Sequence, residues 1–507
     1  MNKPAQFQIP VSFLRIKLLR KARLFSLVLA FLASSCGGAE VPSSPFLGVV
    51  YRYADAMLEH GRDTFGPQKS NLFLSALDRG DLSPLTHRPP APAGAREGDR
   101  VGVAPGSLVG ANPQHDENFL RLLYVLTALS GKREYSDAAD AELKWFLEST
   151  RSPVTALLPW GEHMSWNVLT DEPIPGQQSS DSAAMHEFAR PWMLWDRCFE
   201  LAPEASHQFA PGLWEHQVAD HKTGAFDRHA AFYEHAPRDG MDFPRHAGFY
   251  IRTWAVDYSH TKDPTILSAI ETFLERFEKK RHPQTGLIEH RSEDPHAIPA
   301  SSLSLAIDCD AAARRVPQPL SSRLRTFASR EDEVFCRLPH DLKGRGGFVM
   351  SVKKASGKPV GDITPLWEAR YGSYTTTQVA MMCVARYENT GKTGYRDLIV
   401  QAADAYLKST PPEDQDVWPM TFGHAISLQL AAWRHTSRVE YFDFARALGS
   451  LAVEKFWQDN TLPRASLKTE HYESITGADS LALALVELHL SILHITAVNC
   501  PSNTIDR

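Results

Sequence analysis

The chain has 507 residues, 43% of them hydrophobic and eleven of them tryptophan, which is enough apolar material for a large core and excludes disorder outside the ends. Its formal charge is −6, and removing residues 1–35, which carry six cations and no acid, takes it to −12. An acidic domain with no basic stripe beyond Arg314-Arg315 and Lys353-Lys354 is not expected to bind nucleic acid.

At the start of the chain, Lys3, Arg15, Lys17, Arg20, Lys21 and Arg23 precede the apolar run Leu24 to Leu32 and the small residues Ala33-Ser34-Ser35 before Cys36. The run is too short for a stable membrane span, which needs about 20 residues. This segment resembles a bacterial lipoprotein signal. The resemblance implies a signal peptide over 1–35, lipidation at Cys36 and a linker over 36–46. The mature chain would then hang from a membrane of the cell envelope, on the periplasmic or outer side. The remaining cysteines, Cys198, Cys309, Cys336, Cys383 and Cys500, are odd in number and lack CxxC spacing, so neither a zinc site nor a disulfide framework is indicated.

A helical stretch, Leu47 to Glu59, comes next, then Leu82 to Gly110, rich in Pro, Gly and Arg and without helical period, which reads as an excursion from the rim of one domain. Apolar residues at helical spacing, broken by a short polar turn, then recur in Phe119 to Leu147, Pro191 to Val218, Phe249 to Phe277, Val379 to Leu407 and Ile426 to Phe456. The turns within these hairpins are brief (SGKREY, HTKDP, TGKTGY, HTSRVEY). The connections between them are long: 151–184, 222–245, 282–299, 339–373, 410–420 and 459–476. Three connections share a device, a Thr-centred turn, a short apolar run and a histidine: SPVTALLPWGEH, HKTGAFDRH and HPQTGLIEHR. Repetition of this kind points to a repeat architecture.

Hairpins following one another around a ring would put every long connection on one rim and every short one on the other. That pattern resembles the (α/α) toroids of carbohydrate-active enzymes: polysaccharide lyases, unsaturated glucuronyl hydrolases and related six-hairpin glycosidases. The expected fold is therefore all-α, an (α/α) toroid of six to seven hairpins over 47–498, with residues 499–507 as a tail. Pairing the first helical stretch with the last, Ala478 to His494, would close a seventh hairpin.

The long loops hold the candidate site. GEHMSWN supplies Glu162, His163, Trp166 and Asn167, an aromatic and polar mixture suited to sugar rings and hydroxyls. Trp214 to Trp254 packs His221, Asp227, Arg228, His229, Asp242, Arg245 and His246 among Phe226, Phe243 and Tyr250, and ends by starting a helix at Pro244. Later loops add Trp367, Arg370, Tyr371, Tyr374, His424, Arg464, Glu470 and His471. If these loops feed inner helices, helix N-termini meet at the rim and favour an anion such as a uronate. No HExxH spacing exists, and no cofactor is expected. A composite site from His221, His229 and Asp242 could hold a divalent metal, but the spacing does not demand it.

Two reactions on an acidic polysaccharide fit. β-Elimination needs a base at the proton alpha to a uronate carboxylate and cations for the developing charge. Here His246, Tyr250, Tyr371, Arg245 and His163 are read as catalytic, with Glu162, Trp166, Asn167, His229, Asp242, Tyr374, His424 and His471 as substrate-binding. Hydrolysis needs a carboxyl pair, for which Glu162, Asp242 and Glu470 are available. A rim richer in His, Arg and Tyr than in acid pairs favours the lyase. A lipid-anchored module that binds glycan without cleaving it is the remaining alternative.

Overall fold

The computed structural model describes residues 44–103, 106–175, 185–235, 239–370 and 372–507, so the basic leader, Cys36 and Tyr371 lie outside the described residues. After α1 (Pro45–His60) the helices come in pairs: α2 (Glu117–Ser130) with α3 (Arg133–Ser149), α4 (Trp195–Leu201) with α5 (Pro203–Gln217), and α6 (Pro244–Thr261) with α7 (Pro264–Lys279). Then follow α8 (Pro299–Ala312) with α9 (Leu320–Arg337), α10 (Thr376–Thr390) with α11 (Thr393–Leu407), α12 (Pro419–Thr436) with α13 (Val439–Ala452), and finally α14 (Ala478–Ile492). Among the described residues no helix is long and apolar enough to cross a membrane.

Local chemistry sets the helix ends. Proline opens α1, α6, α7, α8 and α12, where its fixed φ suits the first turn and its missing N–H has no intrahelical partner to lose. Four hairpins share one turn. The residue after the first helix (Gly131, Lys262, Gly391 or Ser437) is left-handed, with φ of 73°, 62°, 68° and 61°, and one more residue leads into the next helix.

The packing closes two rings. In the outer ring α3, α5, α7, α9, α11 and α13 each touch the next, and α1 touches both α3 and the Val453–Trp457 turn that continues α13. In the inner ring the contacts run α4–α6, α6–α8, α8–α10, α10–α12, α12–α14 and α14–α2; between α2 and α4 the Glu117 carboxylate accepts from the Met193 N–H. Because α1 packs on α14, the first and last helices form a seventh hairpin of an (α/α) toroid. The hairpin α8–α9 has no counterpart in the sequence reading. Pro299 to Cys309 of α8 is buried on every side, so that helix shows no apolar stripe.

Every inner helix starts at a long connection, and each of α2, α4, α6, α8, α10 and α12 ends at a short one. At 1.5 Å per residue the ends of α2 are roughly 20 Å apart, which separates a functional rim from the rim of the shared turns. Gly131, Lys262 and Gly391 fall on the second; His163, His229, His246, His424 and His471 fall on the first.

Two segments complete the functional rim. The described part of the 82–110 excursion is fixed across it: Arg100, 4% exposed, pairs with Glu473 at 2.8 and 2.9 Å, Arg96 with Glu162 at 2.7 Å, and the Ala93 N–H with Asp416 at 2.9 Å. Residues 499–507, beyond the domain boundary drawn from sequence, turn back into the ring. They run antiparallel to α14, with the Asn503 amide donating to the Ser480 carbonyl and Asp506 accepting from the Ser480 hydroxyl. On the way they meet α2 through Arg121, α12 through His424 and α8 through Asp308, so the segment lies along the axis of the toroid.

Candidate active site

The site is assembled by two short antiparallel strands. Met185–His186 pairs with Ala230–Ala231 in the register His186↔Ala230, so the next residues, Glu187 and His229, are carried side by side. The chain after α3 comes in against them, with Gly161 bridging Glu187. A Cβ on Gly161 would meet the Glu187 carbonyl oxygen at 1.7 Å, and its φ is 94°, so only glycine fits. Two residues later His163 reaches the same point.

Glu187 is fully buried. Its Oε2 lies 2.8 Å from His163 Nε2 and 3.0 Å from His229 Nε2, and the two nitrogens are 3.1 Å apart. Its Oε1 lies 3.1 Å from His246 Nε2 and accepts from Arg228 Nη1. Burial pushes His163 down; burial, with the Arg228 cation, pushes His229 down to about 3. Both are uncharged at neutral pH, which is the metal-binding form of the ring.

Three ligands at right angles around a cation about 2.1 Å away would sit about 3.0 Å from one another. The observed separations of 2.8, 3.0 and 3.1 Å fit, so His163, Glu187 and His229 could hold a divalent cation on one face. Asp227, 3.6 Å from His229 Nδ1, and His246 would orient these ligands from behind. Asp99, Glu162 and His163 also converge, but there the Arg96 guanidinium already bonds both carboxylates.

Next to this triangle is a pocket lined by Glu162, which lies 3.6 Å from His163. The starts of the inner helices converge on it. His115 precedes α2, Arg190 precedes α4, Arg245 lies in the first turn of α6, Tyr374 precedes α10, Met420 lies in the first turn of α12 and Ile475 precedes α14. Their dipoles favour negative charge. The Tyr374 hydroxyl and Arg245 Nε are buried without a hydrogen-bond partner, and Trp418 offers a ring on the wall. Arg228 stands between triangle and pocket, with Nη1 3.8 Å from Glu162 Oε2 and its guanidinium 4.7 Å over Phe243. Burial, aided by Arg245 and Arg96 and opposed by Glu162, brings Arg228 down to about 10.

The sequence-derived candidates divide. His163 and His229 are in the triangle, and Glu162, Arg245 and Tyr374 are on the pocket wall. His246 is wholly buried behind Glu187, and Tyr250 is wholly buried against Phe188, Phe226 and Trp254, which makes it a packing residue. Trp166 packs edge-on to Trp145, and Asn167 accepts from the Leu169 N–H, so both brace a hairpin. Asp242 is taken by Arg276 and Lys280, and His221 stacks on Trp214; the composite His221–His229–Asp242 set is not assembled. His424 bonds Asp506, and His471 bonds Glu473 at 2.7 Å, each within an ion network at the rim.

Glu187, Arg228 and Arg190 have no assigned role in the sequence reading. The run His186-Glu187-Phe188-Ala189-Arg190-Pro191 carries three polar functional groups just past the connection drawn to Ala184, a usable signal. Arg228 sits inside the dense Trp214–Trp254 run, where spacing does not separate it from Arg245.

The model of a family described as periplasmic pectate lyase matches residues 106–297, the stretch that holds the triangle, Arg228 and Arg245. A curated relative, a pectate disaccharide-lyase of Dickeya dadantii (strain 3937), is 22% identical over 159 residues; the match spans 31% of this chain and 28% of the relative's length. Among solved structures, a D-mannose isomerase superposes with a TM-score of 0.49 at 9% identity, over 89% of this chain and 99% of that one. An unsaturated glucuronyl hydrolase specific for heparin does so with a TM-score of 0.47 at 11% identity, over 90% and 100%. From residue 106 to 297 the chain is thus similar to periplasmic pectate lyases.

Proposed function

We propose that this chain is a polysaccharide lyase that cleaves a uronate-containing glycan of the pectate kind by β-elimination. The observation that carries the reading is the His163–Glu187–His229 triangle beside an arginine-lined pocket, inside the stretch similar to periplasmic pectate lyases. A divalent cation held by those three residues would neutralise the substrate carboxylate and acidify the adjacent C–H.

The chain's own groups fill the other roles. Arg245, at the start of α6, meets the substrate's negative charge, and Trp418 faces a sugar ring. Arg228, shifted to about 10, accepts the C5 proton; a base needs a pKa drawn toward the working pH. As the C5–H electrons form the C4=C5 double bond, the C4–O bond breaks and the leaving oxygen takes a proton, for which the unpartnered Tyr374 hydroxyl is placed. The carboxylates that a hydrolase would use do not favour that alternative, since Asp242 is bound by two cations and Glu470 pairs with Arg79 and Arg464.

The periplasmic relatives and the leader support an extracytoplasmic location, with a lipid on Cys36 as anchor. Mass spectrometry of products from polygalacturonate tests the reaction. Unsaturated oligosaccharides lacking the elements of water support elimination; saturated, hydrated products overturn it.

A further inference from the structure

The axial segment that ends the described chain does more than fill the toroid. Arg507 anchors it: Nη2 lies 2.6 Å from Asp308 Oδ1 and Nη1 3.0 Å from Oδ2, with Ser304 Oγ at 2.6 Å. Asp506, one residue earlier, is tied at Oδ2 by His424 at 3.0 Å and the Ser480 hydroxyl at 2.9 Å. Its Oδ1 lies 3.0 Å from Arg190 Nη1. Asp506 and Arg190 both line the pocket.

Net stability is a poor reason for these groups to be there. A buried ion pair roughly offsets its own desolvation, and an apolar tip would fill an axis at least as well. The geometry at Arg190 suggests another reason. Nη1 is in charge contact with Asp506 yet has no aligned hydrogen-bond acceptor, so its N–H remains available to a ligand in the pocket. Arg245 lies on the same wall with a buried, unpartnered Nε.

We propose that Asp506 is a positioning residue that holds Arg190 against the pocket wall, so that Arg190 and Arg245 together receive a carboxylate of the sugar next to the one cleaved. This rests on the uronate-lyase reading. It makes the axial segment a specificity element for chains of consecutive acidic sugars. Esterifying the neighbouring carboxylate removes the charge that Arg190 is held to meet.

The test compares wild type, Asp506→Asn, Asp506→Glu, Arg190→Gln and the Asp506→Asn/Arg190→Gln pair on polygalacturonate. Trigalacturonate affinity is measured alongside by titration calorimetry, and near-ultraviolet circular dichroism reports folding. Asp506→Asn should raise KM and weaken trigalacturonate binding about tenfold with kcat nearly unchanged, as expected for one charge-assisted contact. Asp506→Glu should recover part of the loss. The pair should be no worse than Arg190→Gln alone, because Asp506 acts through Arg190. Unchanged KM and affinity in a folded Asp506→Asn, or additive losses in the pair, overturn the proposal. A wild type that binds trigalacturonate without cleaving polygalacturonate sinks the lyase reading instead, and the calorimetry still decides the role of Asp506.

Discussion

His163 Nε2 and His229 Nε2 are 3.1 Å apart, each within 3.0 Å of the same Glu187 oxygen. Two uncharged imidazoles that close need a proton or a cation between their lone pairs. A cation in that place predicts that purified protein carries about one equivalent of a divalent metal. Glu187→Gln and His229→Ala should strip most of that metal, since losing even an outer-shell partner commonly costs about 10- to 100-fold in metal affinity. Elemental analysis of the variants against wild type measures it; equal metal content in all three would count against the triangle as a cation site.

In its proposed role as base, Arg228 fixes an expected pH response. If it must be deprotonated to take the C5 proton and titrates at about 10, the active fraction grows about tenfold per pH unit below that value. The logarithm of kcat/KM should rise with a slope near one from pH 7 to 9. Arg228→Ala should cost about 100-fold to 10,000-fold. A flat profile, or an Arg228→Ala variant near wild-type rate, assigns the proton to another group.

Glu142, in α3, bears on stability. It is buried, accepts from the Phe73 N–H at 2.9 Å, and burial pushes it up to about 8. A folded-state value above the unfolded one means the native state holds the extra proton, so stability is fully present below the unfolded value and falls as pH rises toward 8. Glu142→Gln keeps an acceptor for Phe73 and cannot ionise. Its Tm should match wild type near pH 5 and exceed it at pH 8. Parallel Tm curves would show that the folded-state value of Glu142 is not raised above the unfolded one.

Most of the ring was legible in the sequence because most hairpins carry their own signals: apolar residues at helical spacing, prolines at helix starts and short Gly, Lys or Ser turns. The hairpin α8–α9 escaped because a helix buried on all sides, as Pro299 to Cys309 is, has no polar face to set a period. The site was legible by its loops but not by its partners. His163 and His229 stood out, while the carboxylate that joins them, Glu187, belongs to a third segment brought in by the pairing of His186 with Ala230. Tyr250, read from sequence as a catalytic candidate, has its ring among Phe226 and Trp254, an orientation that helical position near a rim does not reveal. No periodicity in residues 499–507 signals that they return along the axis, since that path is fixed by contacts to four separate helices.

Anchoring makes a separate prediction from the small residues before Cys36. Cys36→Ala should leave the precursor without lipid and release most of the protein from the membrane fraction. Unchanged partitioning would argue against lipidation there.

The central claim is cation-dependent β-elimination at His163, Glu187 and His229, and it is tested most directly by following ultraviolet absorbance of the unsaturated uronate during incubation with polygalacturonate. Absorbance should climb with wild-type protein, stop on chelation, resume when a divalent metal is restored, and stay flat with Glu187→Gln throughout. Reducing ends released without any rise in absorbance, or a rise indifferent both to chelation and to Glu187→Gln, would contradict it.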